Sequence, residues 1–433
     1  MRKFAIEALV GLAAFGPLAN AQPIDSLLDL DLRKTVVETL AEKLEADYAV
    51  AEKGQAMANA LRAKLGSGAY NGLSSGDDLA QLLKKDARAI SHDLHLSVGY
   101  APSHEVMPSA PAPELIRKQN GHISKLEILD GNVGYLRVDG FPPPEFAREP
   151  MTAAFAFLKN TDALIIDVRH NGGGDPNSVA LLMSFLSEGR PYLVNTFHHR
   201  EGGRIEEFWT TDVGGASYGA RKPLFVLTSK GTFSGGEEFA YDVKAFERGL
   251  VVGETTGGGA HPTRFADLDH GFFALIPFAR AVNPVTQTDW EGRGVSPDHA
   301  VPAEQALATA RRLALEELKT HAQDLHERAR LEGIALGLEL ANADLAGPLI
   351  ANTHLKGVYA PAFPGPSFTV EERDGKLLLL LPGAPDAVLV PVVGNRYRLD
   401  DFPDGFFLTF LDRDGRLSFL QEQPGSSLVF IKQ

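Results

Sequence analysis

Cysteine is absent from the 433 residues. Disulfide cross-links, thiolate nucleophiles and cysteine-ligated metals are therefore all excluded. Basic runs are missing as well, in a chain whose formal net charge is -14. That sign and distribution give no footing for a polyanion, so nucleic acid is not expected as a partner. Beyond the N-terminal region no segment reaches the roughly 18 uninterrupted apolar residues of a spanning helix, and no membrane span is expected in the mature chain. His198 and His199 lie close to Glu201, Glu206 and Glu207, yet His-Glu-x-x-His and similar spacings are lacking. No metal site and no cofactor is expected on these grounds. No internal repeat of solenoid type is present either.

What remains is size and pattern. A hydrophobic share of 44% with 23% charged residues is that of a globular protein, and the length calls for two or three domains. Arg2 and Lys3 precede an apolar stretch from Phe4 to Leu18, and Ala19-Asn20-Ala21 stands before Gln22. This order reads as a signal peptide over residues 1–21, hence an exported protein, periplasmic or secreted. Residues 22–112 read as a helical domain: Leu40, Leu44, Tyr48 and Ala51 recur at helical spacing, and Gly66-Ser67-Gly68 and Ser74-Ser75-Gly76 punctuate the run. Residues 113–312 alternate buried strands with helices, which implies an α/β core with some parallel pairing. A hairpin is expected about Asp130-Gly131-Asn132. Residues 313–347 read as a helical linker. Residues 348–433 carry short strands with turn signals at Asp374-Gly375, Asp404-Gly405 and Asp414-Gly415, a small all-β domain.

Two segments could carry chemistry, and each joins the end of a buried strand to a helix. The first is Asp167-Val-Arg-His-Asn-Gly-Gly-Gly-Asp-Pro176. Its three glycines free the backbone to aim N–H groups at a developing negative charge, as an oxyanion hole does. It has neither the Gly-x-Gly-x-x-Gly spacing nor the Lys-Ser/Thr ending of a phosphate loop, and a plain tight turn is the other reading. The second is Ser229-Lys-Gly-Thr-Phe-Ser-Gly-Gly-Glu-Glu238. Ser234 stands at a helix N-terminus, where partial positive charge favours a neighbouring anion. By itself this serine reads as a helix cap, and Thr232 departs from the strict Gly-x-Ser-x-Gly nucleophile motif.

The order of these motifs resembles the family of C-terminal-processing and tricorn-type serine peptidases, including its interphotoreceptor retinoid-binding protein-like branch. The matching residues are Asp167, Arg169, Asn171, Gly172, Gly173 and Gly174, then Thr232, Ser234, Gly235, Gly236 and Glu237. Val252-Gly-Glu-Thr-Thr-Gly-Gly258 and Glu291-Gly-Arg-Gly-Val-Ser-Pro-Asp298 follow. The resemblance implies a core of crotonase/Clp-like type and a serine peptidase acting on a peptide or protein substrate. It implies Ser234 as nucleophile and the Gly174 and Gly235 N–H groups as oxyanion donors. The processing peptidases take a lysine as base, and Gly259 stands at its place. The tricorn branch takes a histidine from before the core and a late glutamate, which His95 and Glu291 match; His92 and His261 are rival bases. No insertion is long enough for a PDZ domain, and the C-terminal β segment resembles lipocalin-like modules. Arg280 and Arg293 could receive a substrate carboxylate. Two other functions share the pattern: a non-catalytic module binding an apolar ligand, and an esterase or amidase on small substrates.

Overall fold

The computed structural model describes residues 29–101, 112–341, 349–361, 365–400, 402–413, 415–423 and 426–433; the expected signal peptide lies outside the described residues. The N-terminal region is helical. α1 (Leu30–Asp47) starts where Asp29 accepts the Leu32 N–H at 2.7 Å, and α3 (Gly76–Ser91) starts where Ser75 accepts that of Asp78, each satisfying an otherwise orphaned donor. Between them lies α2 (Ala51–Gly66). Val36, Val37, Leu40 and Leu44 of α1 and Leu79 and Leu83 of α3 are fully buried, and they share one core with Phe272, Ala274 and Ile276. Truncating one such leucine to alanine costs about 2–5 kcal/mol.

Those last three residues belong to an antiparallel sheet in the order β1-β10-β9, with β1 (Ser97–Tyr100), β9 (Thr263–Asp267) and β10 (Phe272–Pro277). It roofs the helices and brings the strand after α3 next to the segment following the glycine-rich loop. A second antiparallel sheet has the order β11-β5-β6, from β5 (Leu193–His199), β6 (Ile205–Trp209) and β11 (Ala279–Val282).

The central sheet has six strands in the order β12-β8-β7-β4-β3-β2. Its strands are β2 (Ile123–Leu129), β3 (Val133–Val138), β4 (Ala163–Asp167), β7 (Leu224–Thr228), β8 (Leu250–Gly253) and β12 (His299–Ala300). β2 and β3 are joined by the Asp130-Gly131-Asn132 turn, with Gly131 and Asn132 at positive φ. β7 runs parallel to β8, and β8 to β12. Every residue of β4 and β7 is buried, as expected of strands covered on both faces. α5 (Pro144–Leu158), α6 (Pro176–Phe185) and α7 (Gly235–Ala245) complete the mixed core.

The chain divides into two compact units, Met1–Leu126 with Leu136–Asn160 and Ile166–Ala306, and Glu127–Tyr135 with Thr161–Ile165 and Leu307–Gln433. The second unit holds α9 (Leu325–Ala341) and a closed antiparallel barrel of eight strands, from β13 (Gly357–Pro361) to β20 (Ser426–Lys432). Tyr359, Phe410, Phe419 and Phe430 are buried inside it, Phe419 lying 4.9 Å from both Tyr359 and Phe430. All the residues singled out above for chemistry lie in the first unit.

Candidate active site

Two loops meet where β4 and β7 end, and side chains weld them together. Asp167 and Arg169 form a bidentate pair, with Arg169 Nη2 2.6 Å from Asp167 Oδ2 and Nε 2.9 Å from Oδ1. Asn171 accepts the Phe233 N–H on its carbonyl and the Gly173 N–H on Oδ1, and donates from Nδ2 to Val138 O. Thr232 Oγ1 donates to Val168 O, and Ser229 Oγ to Arg169 O. The polar residues between the strand ends and the helices therefore fix one loop against the other.

Ser234 sits at that junction, immediately before α7, with φ 53° and ψ -121°. A positive φ is strained for a residue with a Cβ, and such strain is held only where the surroundings over-determine it. Glu237 helps to do so: its Oε2 accepts the Ser234 N–H at 3.0 Å. The hydroxyl lies against the triple-glycine turn. A methyl group on Gly173 would stand 2.6 Å from Ser234 Cβ and 3.0 Å from its Oγ, while one on Gly235 would stand 3.2 Å from the Gly174 nitrogen. Gly174 itself has φ 141°, and a Cβ there would fall 2.0 Å from Phe141 O; only glycine is accommodated. The Gly173 N–H is taken by Asn171. Those of Gly174 and Gly235 have no acceptor among the described residues, so both can receive a negative oxygen beside the serine hydroxyl.

The imidazole arrives from the loop between α3 and β1. His95 packs its ring on Phe233, the residue before the serine, at 4.5 Å between centroids. A methyl group on Gly259 would collide with both rings, 2.3 Å from Phe233 Cζ and 2.6 Å from His95 Cε1. The space that a side chain at position 259 would enter is thus filled by His95. Burial pushes the His95 pKa down to about 4, although the neighbouring Asp93 carboxylate opposes this. The ring is accordingly neutral near pH 7 and able to take up a proton.

Glu291 does not meet His95 in any hydrogen bond. Its Oε2 accepts the N–H groups of Ala260 at 2.7 Å and His261 at 3.3 Å, and lies 3.7 Å from His261 Nδ1. Burial, then the charge of Asp93, pushes its carboxyl up to about 7. His261 donates from Nδ1 to Asp93 Oδ2 at 2.8 Å. Burial alone would lower its pKa, but Asp93 and Glu291 together outweigh it and the net shift is upward. Asp93, His261 and Glu291 each bring one ligand-type atom within 4.8 Å of the others. The His261–Asp93 hydrogen bond and the approach of Glu291 to the same ring nitrogen link the three into one network.

Residues 132–301 match the family model described as peptidase family S41, and residues 18–128 match that of the N-terminal domain of peptidase S41 in eukaryotic IRBP. The core belongs to peptidase family S41. Over 173 residues the chain is 30% identical to the chloroplastic carboxyl-terminal-processing peptidase 2 of Arabidopsis thaliana, covering 39% of this chain and 32% of that one. Over 136 residues it is 26% identical to the tricorn protease of Thermoplasma volcanium, covering 31% of this chain and 12% of that one. The solved photosystem II D1 C-terminal processing protease aligns at 27% identity and a TM-score of 0.34, over 42% of this chain and 46% of the other. The chain spans about a third of the length of the chloroplastic relatives it matches.

The structure places Ser234 against Gly173, Gly174 and Gly235, brings His95 onto Phe233 beside the serine, and sets Glu291 next to His261. His92 lies at the left-handed end of α3 and is exposed. A cavity of about 590 Å³ is lined by Glu291 together with Arg200, His261, Arg280 and Asp289, among others. Arg280 reaches Asp289 at 3.6 Å, whereas Arg293 is held by the Asp289 carbonyl. Sequence reasoning left Asp93, Tyr48 and Phe233 unassigned. Asp93 was visible only as the first letter of Asp-Leu-His, and its partner His261 is 168 residues away in the chain.

Proposed function

We propose that the chain is an exported serine peptidase that cleaves peptide bonds through an acyl-enzyme on Ser234, with His95 as general base in place of a lysine. The observations that carry this reading are the Ser234 hydroxyl lying against the triple-glycine turn, two glycine N–H groups without acceptors among the described residues, and an imidazole packed on the neighbouring Phe233 in the space beside Gly259. Serine is a poor nucleophile until a base removes its proton. His95 takes that proton as Oγ bonds to the substrate carbonyl carbon, and the carbonyl oxygen becomes an oxyanion facing the Gly174 and Gly235 N–H groups. Preorganised donors of this kind are worth about 3–4 kcal/mol each when removed from a serine peptidase. Collapse expels the amine, which leaves with the proton held by His95; water then cleaves the ester by the same steps reversed. Glu291 braces the loop under the imidazole through the Ala260 and His261 N–H groups.

A crotonase/Clp-type arrangement of the core agrees with the parallel β7-β8-β12 strands and with loops that converge at strand ends. Export rests on Arg2, Lys3, the apolar run and Ala19-Asn20-Ala21. A hydrocarbon-binding module is disfavoured by the cavity beside Glu291, whose wall carries Arg200, Arg280 and Asp289. A fluorophosphonate probe tests the proposal. One probe per chain should add to the parent protein, none to Ser234→Ala, and the rate should fall about 100-fold or more in His95→Ala. A parent that stays unlabelled while remaining folded would dispose of the enzyme reading, and cleavage of esters but not peptides would narrow it to a small-substrate hydrolase.

A further inference from the structure

The mechanism above leaves one fully buried charge without a task. We infer that Asp93, rather than Glu291, is the acid that positions the base and stabilises its protonated form. This rests on His95 acting as the base of Ser234.

The His95 backbone is clamped from three directions. Its own N–H donates to Asp93 Oδ1 at 2.9 Å. Arg88 donates from Nη2 to Leu94 O at 2.6 Å and from Nε to Leu96 O at 2.7 Å, on either side of the histidine. The Asp93 N–H is in turn held by Ser91 Oγ. The second Asp93 oxygen accepts the Tyr48 hydroxyl at 3.0 Å and meets His261 Nδ1 at 2.8 Å. One carboxylate therefore ties together the end of α1, the loop carrying His95 and the loop lying under His95, with no exposure of its own.

The charges point the same way. The groups acting on His95 are Asp93, which favours its protonation, and His261 and Arg88, which oppose it. Glu291 acts on His261 and Asp93 instead. Asp93 is held below its ordinary carboxylate range despite its burial, chiefly by the hydrogen bond with His261, with the Tyr48 hydroxyl adding to it. When His95 takes the serine proton, a cation forms in a poorly solvated place near Arg88 and His261, which both oppose it. Asp93 is the compensating charge, and its removal should disfavour that step rather than substrate binding. In this arrangement the carboxylate acts through the backbone and through space, with no hydrogen bond to the imidazole: His95 Nδ1 is buried without a partner among the described residues.

Asp93→Asn keeps the shape and one acceptor while deleting the charge. In the full chain we expect kcat to fall about 30-fold or more with KM changed less than threefold, and the fluorophosphonate labelling rate to fall in parallel. Glu291→Gln should lose at least tenfold less than that. Labelling by Asp93→Asn within twofold of the parent, or a larger loss in Glu291→Gln, would overturn the inference. Should Asp93→Asn fail to fold, Tyr48→Phe decides: removing one donor from the carboxylate should slow labelling about threefold at unchanged KM, and an unchanged rate counts against Asp93. Absence of labelling in the parent would instead strike the serine peptidase reading itself.

Discussion

Glu237 and Glu238 are consecutive residues in the first turn of α7, both buried, and they meet opposite surroundings. Glu237 is saturated with donors. Oε1 accepts the Thr256 hydroxyl at 2.5 Å and the Gly258 N–H at 2.6 Å, and Oε2 accepts the N–H groups of Gly259 at 2.8 Å and Ser234 at 3.0 Å. Glu238, on the next face of the helix, lies near Asp242 and Asn195, and its Oε1, Asp242 Oδ2 and Asn195 Nδ2 are buried without partners among the described residues. Burial raises both glutamates; donors oppose it strongly at Glu237, whereas Glu238 is pushed up to about 8. The difference lies in hydrogen bonding rather than depth: a buried carboxylate is tolerable when several donors replace its water. The first acid organises the active-site loops. The second is kept neutral.

The largest test of that contrast is Glu237→Ala. Four donors from two chain segments would be left buried and unpaired, each omission being worth roughly 1–3 kcal/mol. We expect about 3–5 kcal/mol of lost stability by urea unfolding, allowing for partial relaxation, with fluorophosphonate labelling abolished. A loss below 1 kcal/mol would mean that the carboxylate is not what holds Ser234 and the glycine loop.

A smaller change probes the same loop from the other side. Gly259→Ala leaves the Glu237 bonds possible but adds a methyl group where the His95 and Phe233 rings stand. Activity should fall about 100-fold by displacement of the imidazole, for a stability loss of about 1–3 kcal/mol, the usual range for overpacking. Gly259→Lys should fare no better, since a lysine cannot enter while His95 fills its path. Recovered labelling in that variant would show that the imidazole yields readily and is not fixed.

The strand-to-helix junctions at Ser234 and the triple glycine were legible from short-range rules, glycines and small polar residues at the end of an apolar strand, whereas their roles came only from the family resemblance, since alone they read as a cap and a tight turn. The barrel's turns were legible for the same reason, with Asp374 and Gly375 both at positive φ between β14 (Phe368–Arg373) and β15 (Lys376–Leu380). β5, β6 and β9 were not foreseen. β6 carries Glu206 and Glu207 with Ile205 exposed, and β9 carries Arg264 and an exposed Phe265. Partly exposed strands with charges on them lack the alternation that marks a strand. The network behind the imidazole was illegible for a different reason. Tyr48, Asp93 and His261 become neighbours only when the helical region and the glycine-loop sheet share a core, and no local pattern encodes such a meeting.

The smallest expected effect belongs to Glu238 and is read by pH. Its carboxyl is raised by burial to about 8, with the Asn195 side chain opposing and Asp175 adding to the rise, while Asp242 beside it is also raised, by burial and then by Glu238. An unfolded glutamic acid loses its proton near its ordinary value of about 4.3. Between that value and about 8 the folded chain holds more protons than the unfolded one, so stability contributed by this cluster is present below about 4 and declines as the pH rises, levelling off above about 8. Glu238→Gln carries no proton to lose, and it keeps a polar group of the same size beside Asn195. Its stability should match the parent within about 1 kcal/mol at pH 5 and exceed it by on the order of 1–2 kcal/mol at pH 8, because Asp242 keeps part of the dependence. Urea unfolding at the two pH values measures both. If the parent were equally stable at both, or the variant shared its full slope, Glu238 would be ionised in the folded protein and the contrast with Glu237 would vanish.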